Sequence, residues 1–330
     1  MAAGPPIPST VFREGFYSNP NMIVTVTLNP SLDRSLSVPE FHPGTLHRAR
    51  LTREDLGGKG INVARALQAL GLPSRIVGFA GGRTGRALSD GLLAEAFVVS
   101  FVDVDGEIRQ NITLLDESNS QVTKINEQGP TVGLKHVAVL EELISSTVQP
   151  GDLWAFCGSL PPGAPQDLYA RLITRVQEKS AMAFLDTSGA ALHAGVRAGP
   201  FAVKVNIDEA GELLGRGLES EQAILEAARE LQTMRTRLVA LTRGAQGLVL
   251  AMQAGMVIAV PPQVAAISPV GAGDAALAGL LWAVSEQSDP VTTARRVVAC
   301  GTAAAMQAGT GVGDRMLVQD LLGKIEIILP

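Results

Sequence analysis

Short apolar runs and helical apolar stripes alternate along most of the chain. Ile23 to Leu28 is a β-branched run closed by Asn29-Pro30, which predicts a buried strand. After the glycine turn Gly57-Gly58-Lys59-Gly60, residues Ile61 to Leu70 carry apolar side chains at helical spacing. Ser74 to Ala80 predicts a strand, Gly81-Gly82 a turn and Thr84 to Ala96 a helix. Further along, Trp154 to Cys157, Ala183 to Leu185, Ala202 to Val205 and Leu238 to Leu241 predict strands. Helices are predicted between them at Leu168 to Glu178 and Glu221 to Gln232, and later at Ala275 to Val284. Such a rhythm predicts an α/β fold with a mostly parallel sheet and helices on both faces.

Two stretches break the rhythm. Residues 34–54 alternate polar and apolar positions, as in Ser35-Leu36-Ser37-Val38, and contain Pro39, Pro43 and Gly44. Residues 97–127 again read as strands, with turns at Asp105-Gly106 and near Ser118-Asn119. We expect one large body over 22–330, with 34–54 and about 100–127 meeting as a small β-sheet lid. The first 21 residues, MAAGPPIPSTVFREGFYSNPN, are rich in Pro, Ser and Gly and lack a basic start followed by an apolar block. They read as a disordered leader rather than a signal peptide.

Composition narrows the function. Hydrophobic residues make up 46% and charged residues 18% of the 330, as in a globular protein. Net charge is −5, no Lys/Arg block tracks a nucleic-acid backbone, and aromatics are only 4%. Nucleic acid is therefore not an expected partner. Cys157 and Cys300 form no metal motif and no disulfide framework, which suits a reducing compartment and a cytoplasmic protein. No apolar stretch reaches the roughly 18 residues of a membrane helix.

Three stretches carry chemistry. In Val270-Gly271-Ala272-Gly273-Asp274-Ala275, small residues let backbone N–H groups approach a ligand, and the following helix adds partial positive charge. Gly271, Ala272 and Gly273 would form an anion hole, with Asp274 at its lip to accept a proton from an attacking hydroxyl. An Asp here can equally be a helix cap, and the glycines loosely fit a dinucleotide loop. In Gly57-Gly58-Lys59-Gly60-Ile61-Asn62, Lys59 could meet a substrate phosphate and Asn62 a sugar hydroxyl; a tight turn with a solvated Lys is the plainer alternative. No Ser or Thr follows Lys59, so this is not a Walker A loop. Asp33, after the first strand, could hold hydroxyls or merely form an Asx turn.

Together these stretches resemble the PfkB (ribokinase-like) carbohydrate kinases: VGAGDA is similar to the family's second signature, and GGKGINVAR with GGRTG to its first. TLNPSLD, GGKGINVA, GEIRQN and TKINEQGP look most like 1-phosphofructokinases and tagatose-6-phosphate kinases. The resemblance implies a ribokinase-like three-layer sandwich and an ATP- and Mg²⁺-dependent transfer of phosphate to a sugar phosphate. Fructose 1-phosphate is the implied substrate; tagatose 6-phosphate or fructose 6-phosphate is the alternative, and a non-catalytic sensor a more distant one. Asp274 is implied as base, and Asp33, Gly58, Lys59, Asn62, Arg109, Asn111 and Lys124 as substrate contacts. Asn206, Thr242, Gly244, Gly247, Gly273, Ala303 and Gly309 are implied on the ATP side, with Glu209 acting on the metal indirectly. Exposed lid edges would also suit a homodimer. Val205 stands where the family usually has Pro, which leads us to expect a looser metal-side loop, and Pro269 where many members have Thr.

Overall fold

The computed structural model describes residues 22–330; the leader expected at 1–21 lies outside the described residues. The first half of the chain forms β1 (Ile23–Thr27), β2 (Ser31–Val38), β3 (Arg50–Gly57), α1 (Lys59–Ala69), β4 (Ser74–Gly81), α2 (Gly82–Ala94), β5 (Val98–Val104), β6 (Arg109–Asp116), β7 (Val122–Asn126), α3 (Leu134–Thr147) and β8 (Leu153–Cys157). The second half forms α4 (Leu168–Glu178), β9 (Met182–Asp186), α5 (Gly189–Arg197), β10 (Ala202–Asn206), α6 (Ile207–Leu214), α7 (Glu221–Thr233), β11 (Leu238–Thr242), β12 (Leu248–Met252), β13 (Gly255–Val260), α8 (Ala272–Ser285), α9 (Pro290–Ala305), α10 (Arg315–Leu322) and β14 (Glu326–Ile328).

A large sheet has the order β14-β13-β12-β11-β10-β9-β8-β1-β4-β5. From β11 to β5 every pairing is parallel. The other end is antiparallel, because β12 and β13 form a hairpin closing on the Met252–Gly255 pair, and β14 adds antiparallel to β13. Alternation along each strand sends side chains to two cores. Val24, Val26, Trp154 and Phe156 pack beneath α3, α4, α5 and α7. Ile23, Leu153, Ala155, Phe184 and Ala202 pack beneath α1, α8, α9 and α10. Helices thus cover both faces, as the rhythm predicted.

A second sheet has the order β3-β2-β6-β7. Its two antiparallel pairs, β2 with β3 and β6 with β7, are joined by the parallel pairing of β2 with β6. The start of the second excursion differs from expectation. Residues 98–104 lie at the edge of the large sheet, paired with β4, because Val102 and Val104 bury against Phe79 in the main core. The small sheet takes only residues 31–38, 50–57, 109–116 and 122–126.

Candidate active site

Parallel strands of an open α/β sheet present their carboxyl ends along one edge, where ligands bind. Here β1, β8, β9 and β10 end beside one another, and the small sheet grows directly out of β1 through Leu28–Pro30. A cleft of about 200 Å³ opens at this edge, lined by Thr27, Asn29, Lys59, Arg109, Ser159 and Glu209, among others.

Asp274 is the third residue of α8, and the cap position belongs to Gly271. Gly271 has φ 82°, a left-handed conformation in which other residues are strained. The capping alternative for Asp274 therefore fails: its carboxylate accepts instead from Asn62 Nδ2, at 2.8 Å. Asp274 is only 7% exposed. Burial pushes its carboxyl up to about 6, opposed by the Lys59 ammonium and assisted by the negative charge of Asp186. The first turn of α8 leaves the N–H groups of Gly273 and Asp274 without helical acceptors, while the Ala272 N–H turns back to the Pro269 carbonyl at 3.3 Å.

Lys59 opens α1 after Gly58, whose φ of 132° swings the chain from the small sheet into the helix. Its Nζ lies 2.8 Å from Asp186 Oδ1, and the Asp186 charge raises the Lys59 pKa against the opposing effect of burial. Asp186 is fully buried at the end of β9. Burial alone would raise its carboxyl, but Lys204 and Lys59 hold it down at about 2. Lys204 Nζ is 2.8 Å from the other oxygen.

On the small sheet Asp33 and Asn111 are register partners, and Asn111 Nδ2 donates to Asp33 Oδ1 at 2.7 Å. Ser31 Oγ donates to the same oxygen at 2.8 Å. Arg109 pairs with Ser31 in register, lines the cleft and donates from Nε to the Asn29 carbonyl at 3.2 Å. Lys124 pairs with Thr113 on the exposed edge strand β7, so it shares a face with Asn111 and Asp33 but makes no ion pair among the described residues.

The residues expected around the nucleotide fall on neighbouring segments. Asn206 caps α6: its Oδ1 accepts from Glu209 N and its own N–H donates to Glu209 Oε2, both at 2.8 Å. This reciprocal capping fixes the loop, and Val205 is a fully buried strand residue. The loosening expected from the missing Pro is therefore not found. Thr242 ends β11, and Gly244 and Gly247 bound the turn after it. Ala303 is buried in α9, and Gly309 lies beside Arg53 of β3, whose Nη1 donates to the Ala308 carbonyl at 3.0 Å.

Asp186 and Lys204 are not among the expected site residues. Lys204 did leave a signal, as a lone cation inside the apolar run Ala202-Val203-Lys204-Val205, where a fully buried charge needs a partner. Arg53 left none, because its contact depends on how the small sheet sits.

The chain matches the model of the "pfkB family carbohydrate kinase" over residues 25–315. It is 35% identical over 288 residues to a 1-phosphofructokinase of Rhodobacter capsulatus, covering 87% of this chain and 91% of that protein. It is 32% identical to a 1-phosphofructokinase of Bacillus subtilis, covering 93% and 99%. Among solved structures, phosphofructokinase-2 from Escherichia coli in complex with potassium superposes with a TM-score of 0.87 at 29% identity, covering 92% of this chain and 98% of that one. A tetrameric inhibited form of that enzyme also matches.

Proposed function

Because the chain belongs to the pfkB family of carbohydrate kinases, and is thereby a phosphotransferase with an alcohol acceptor, we propose that it phosphorylates fructose 1-phosphate at O6 with ATP, giving fructose 1,6-bisphosphate. The substrate choice is supported by relatives named 1-phosphofructokinase at 30–35% identity over most of the chain. One observation carries the chemistry: a buried carboxylate, Asp274, stands in the first turn of α8, held by Asn62, with its carboxyl pushed up to about 6. A base poised near the working pH is suited to deprotonating an alcohol.

In this reading the sugar phosphate spans the gap between the two sheets. Arg109 and Lys124 hold its phosphate with charge-assisted hydrogen bonds, and Asp33 and Asn111 orient its hydroxyls. Asp274 takes the proton of the attacking hydroxyl, and the free N–H groups at the start of α8 receive the charge on the transferring phosphoryl group. The small sheet covers the site and excludes water, as the lid of a kinase domain over 22–330. ATP lies along Asn206, Thr242, Gly244, Gly247, Ala303 and Gly309.

Magnesium fits the donor set. No cluster of three or more His, Cys, Asp or Glu occurs among the described residues, and Glu209 is a single carboxylate at the cleft. That suits an ion held mainly by phosphate oxygens and water, with Glu209 acting through a water molecule. The ion would offset triphosphate charge. A homodimer through the small sheet is the proposed assembly, since Leu51, Val122 and Ile125 are exposed on its strands.

The deciding experiment is ADP release with Mg-ATP and fructose 1-phosphate, fructose 6-phosphate or tagatose 6-phosphate in parallel. The highest kcat/KM is expected with fructose 1-phosphate. Preference for either 6-phosphate overturns the substrate, and failure with all three overturns the sugar-phosphate reading.

A further inference from the structure

The kinase reading gives the buried Asp186 no task. Asp186 closes β9 with no exposed surface, where an unpaired carboxylate would be strongly disfavoured. Its two oxygens meet two ammoniums, Lys59 on Oδ1 and Lys204 on Oδ2, each at 2.8 Å. Strand alternation brings them together. Asp186 shares its strand face with Phe184, and Lys204 shares its face with Ala202, and both faces look toward α1 and α8. Lys204 is itself only 4% exposed, and a Cβ placed on Gly273 would lie 3.5 Å from its Nζ. One buried cation therefore stands directly behind the backbone of the anion hole, and the other reaches into the cleft from the start of α1.

We infer that Asp186 is a positioning residue for phosphoryl transfer: it fastens the Lys59 and Lys204 ammoniums to the two sides of one carboxylate, so that both charges are preset beside the first turn of α8. The inference rests on the reading of Asp274 as base. With Asp274 ionised, two cations and two anions balance. During transfer the sugar O–H bond breaks and its proton passes to Asp274. The oxygen's electron pair forms the new P–O bond, and the bond to the bridging oxygen of ADP breaks with its pair. Once Asp274 is neutral, the two lysines and Asp186 are left with one net positive charge, at the moment the migrating group needs it. Because Asp186 holds both cations in place beforehand, little reorganisation is required.

The groups facing Asp274 are Lys59 and Asn62 from α1, Asp186 from β9, Lys204 from β10 and the Cys157 thiol from β8, which burial keeps neutral. Glu209 acts on Lys59 from α6. Loss of the Asp186 charge removes an influence that raises the Asp274 pKa, so the acid limb of kcat/KM moves to lower pH. Loss of the Lys204 charge moves it to higher pH.

The test compares wild type, Asp186→Asn, Lys204→Met and the double variant. With Mg-ATP and fructose 1-phosphate, Asp186→Asn should lower kcat by about 100-fold while KM for the sugar stays within about threefold. The two acid limbs should shift in opposite directions, and the double variant should lose far less than the product of the single losses. A melting curve identifies any variant that has merely failed to fold. For a folded Asp186→Asn, a kcat within about threefold of wild type overturns the inference. An unmoved acid limb with a raised magnesium requirement also overturns it, in favour of a metal ligand. Lysine acylation read by mass spectrometry separates this from failure of the kinase reading. Lys59 should label about tenfold faster in Asp186→Asn, because the released ammonium loses protons more readily. Unchanged labelling overturns the clamp whether or not any sugar turns over.

Discussion

The carboxyl edge of the large sheet and the facing surface of the small sheet are built on opposite terms. At the edge, every charged group described is already partnered: Asp274 by Asn62, and Asp186 by Lys59 and Lys204. On the small sheet, Lys124 stands exposed without an ion pair among the described residues, and the bond from Arg109 to the Asn29 carbonyl uses only its Nε. Buried charges must be satisfied before a ligand arrives, whereas exposed ones can wait in water at little cost. In the proposed mechanism the difference separates the groups assigned to the reacting atoms from those assigned to the sugar.

The comparison breaks most sharply at Asp274. Asp274→Asn should lower kcat by about 1,000-fold or more while leaving KM nearly unchanged; survival within about tenfold would show that the base lies elsewhere. In the proposed mechanism Asp274 acts as its carboxylate, so kcat/KM in wild type should rise as pH climbs through about 6 and then level. At pH 5 the value should be about one-tenth of the plateau, and a pH profile checks it. Next comes stability. Leu172 is fully buried on α4, and Leu172→Ala should cost about 2–5 kcal/mol in denaturant unfolding. Val139, 56% exposed on α3, should change stability by less than about 0.5 kcal/mol when replaced by Ala. The smallest catalytic effects belong to the small sheet. Arg109→Ala should raise KM for the sugar phosphate by about 10- to 100-fold, and Lys124→Ala by less than about tenfold, with kcat little changed. A kcat loss as large as that of Asp274→Asn in either variant would erase the distinction.

Much of this organisation was legible in the chain. The helix at Leu168–Glu178 matches its amphipathic stripe residue for residue, and the strands at 23, 154, 183, 202 and 238 stand within a residue or so of their apolar runs. Local pattern could not reveal the antiparallel end of the large sheet. The hairpin after Met252 turns through Gln253-Ala254, which lacks the Asn-Gly or Asp-Gly usual in such turns. Short helices such as α6 were missed because eight residues hold barely two turns of periodicity. Glycine turns flag Asp274, Lys59 and Asn62, which the fold brings together. The link from Asp186 to Lys204 was not legible, since it depends on which face of two neighbouring strands α1 and α8 cover.

The hydrogen bond from Arg53 to the Ala308 carbonyl joins the edge of the small sheet to the loop preceding Gly309. Any motion of the sheet that stretches this bond changes the free energy of the loop that carries Gly309. If one ligand draws the sheet inward and the other settles the loop, their affinities become linked. By thermodynamic reciprocity, each must then alter the other's dissociation constant by the same factor.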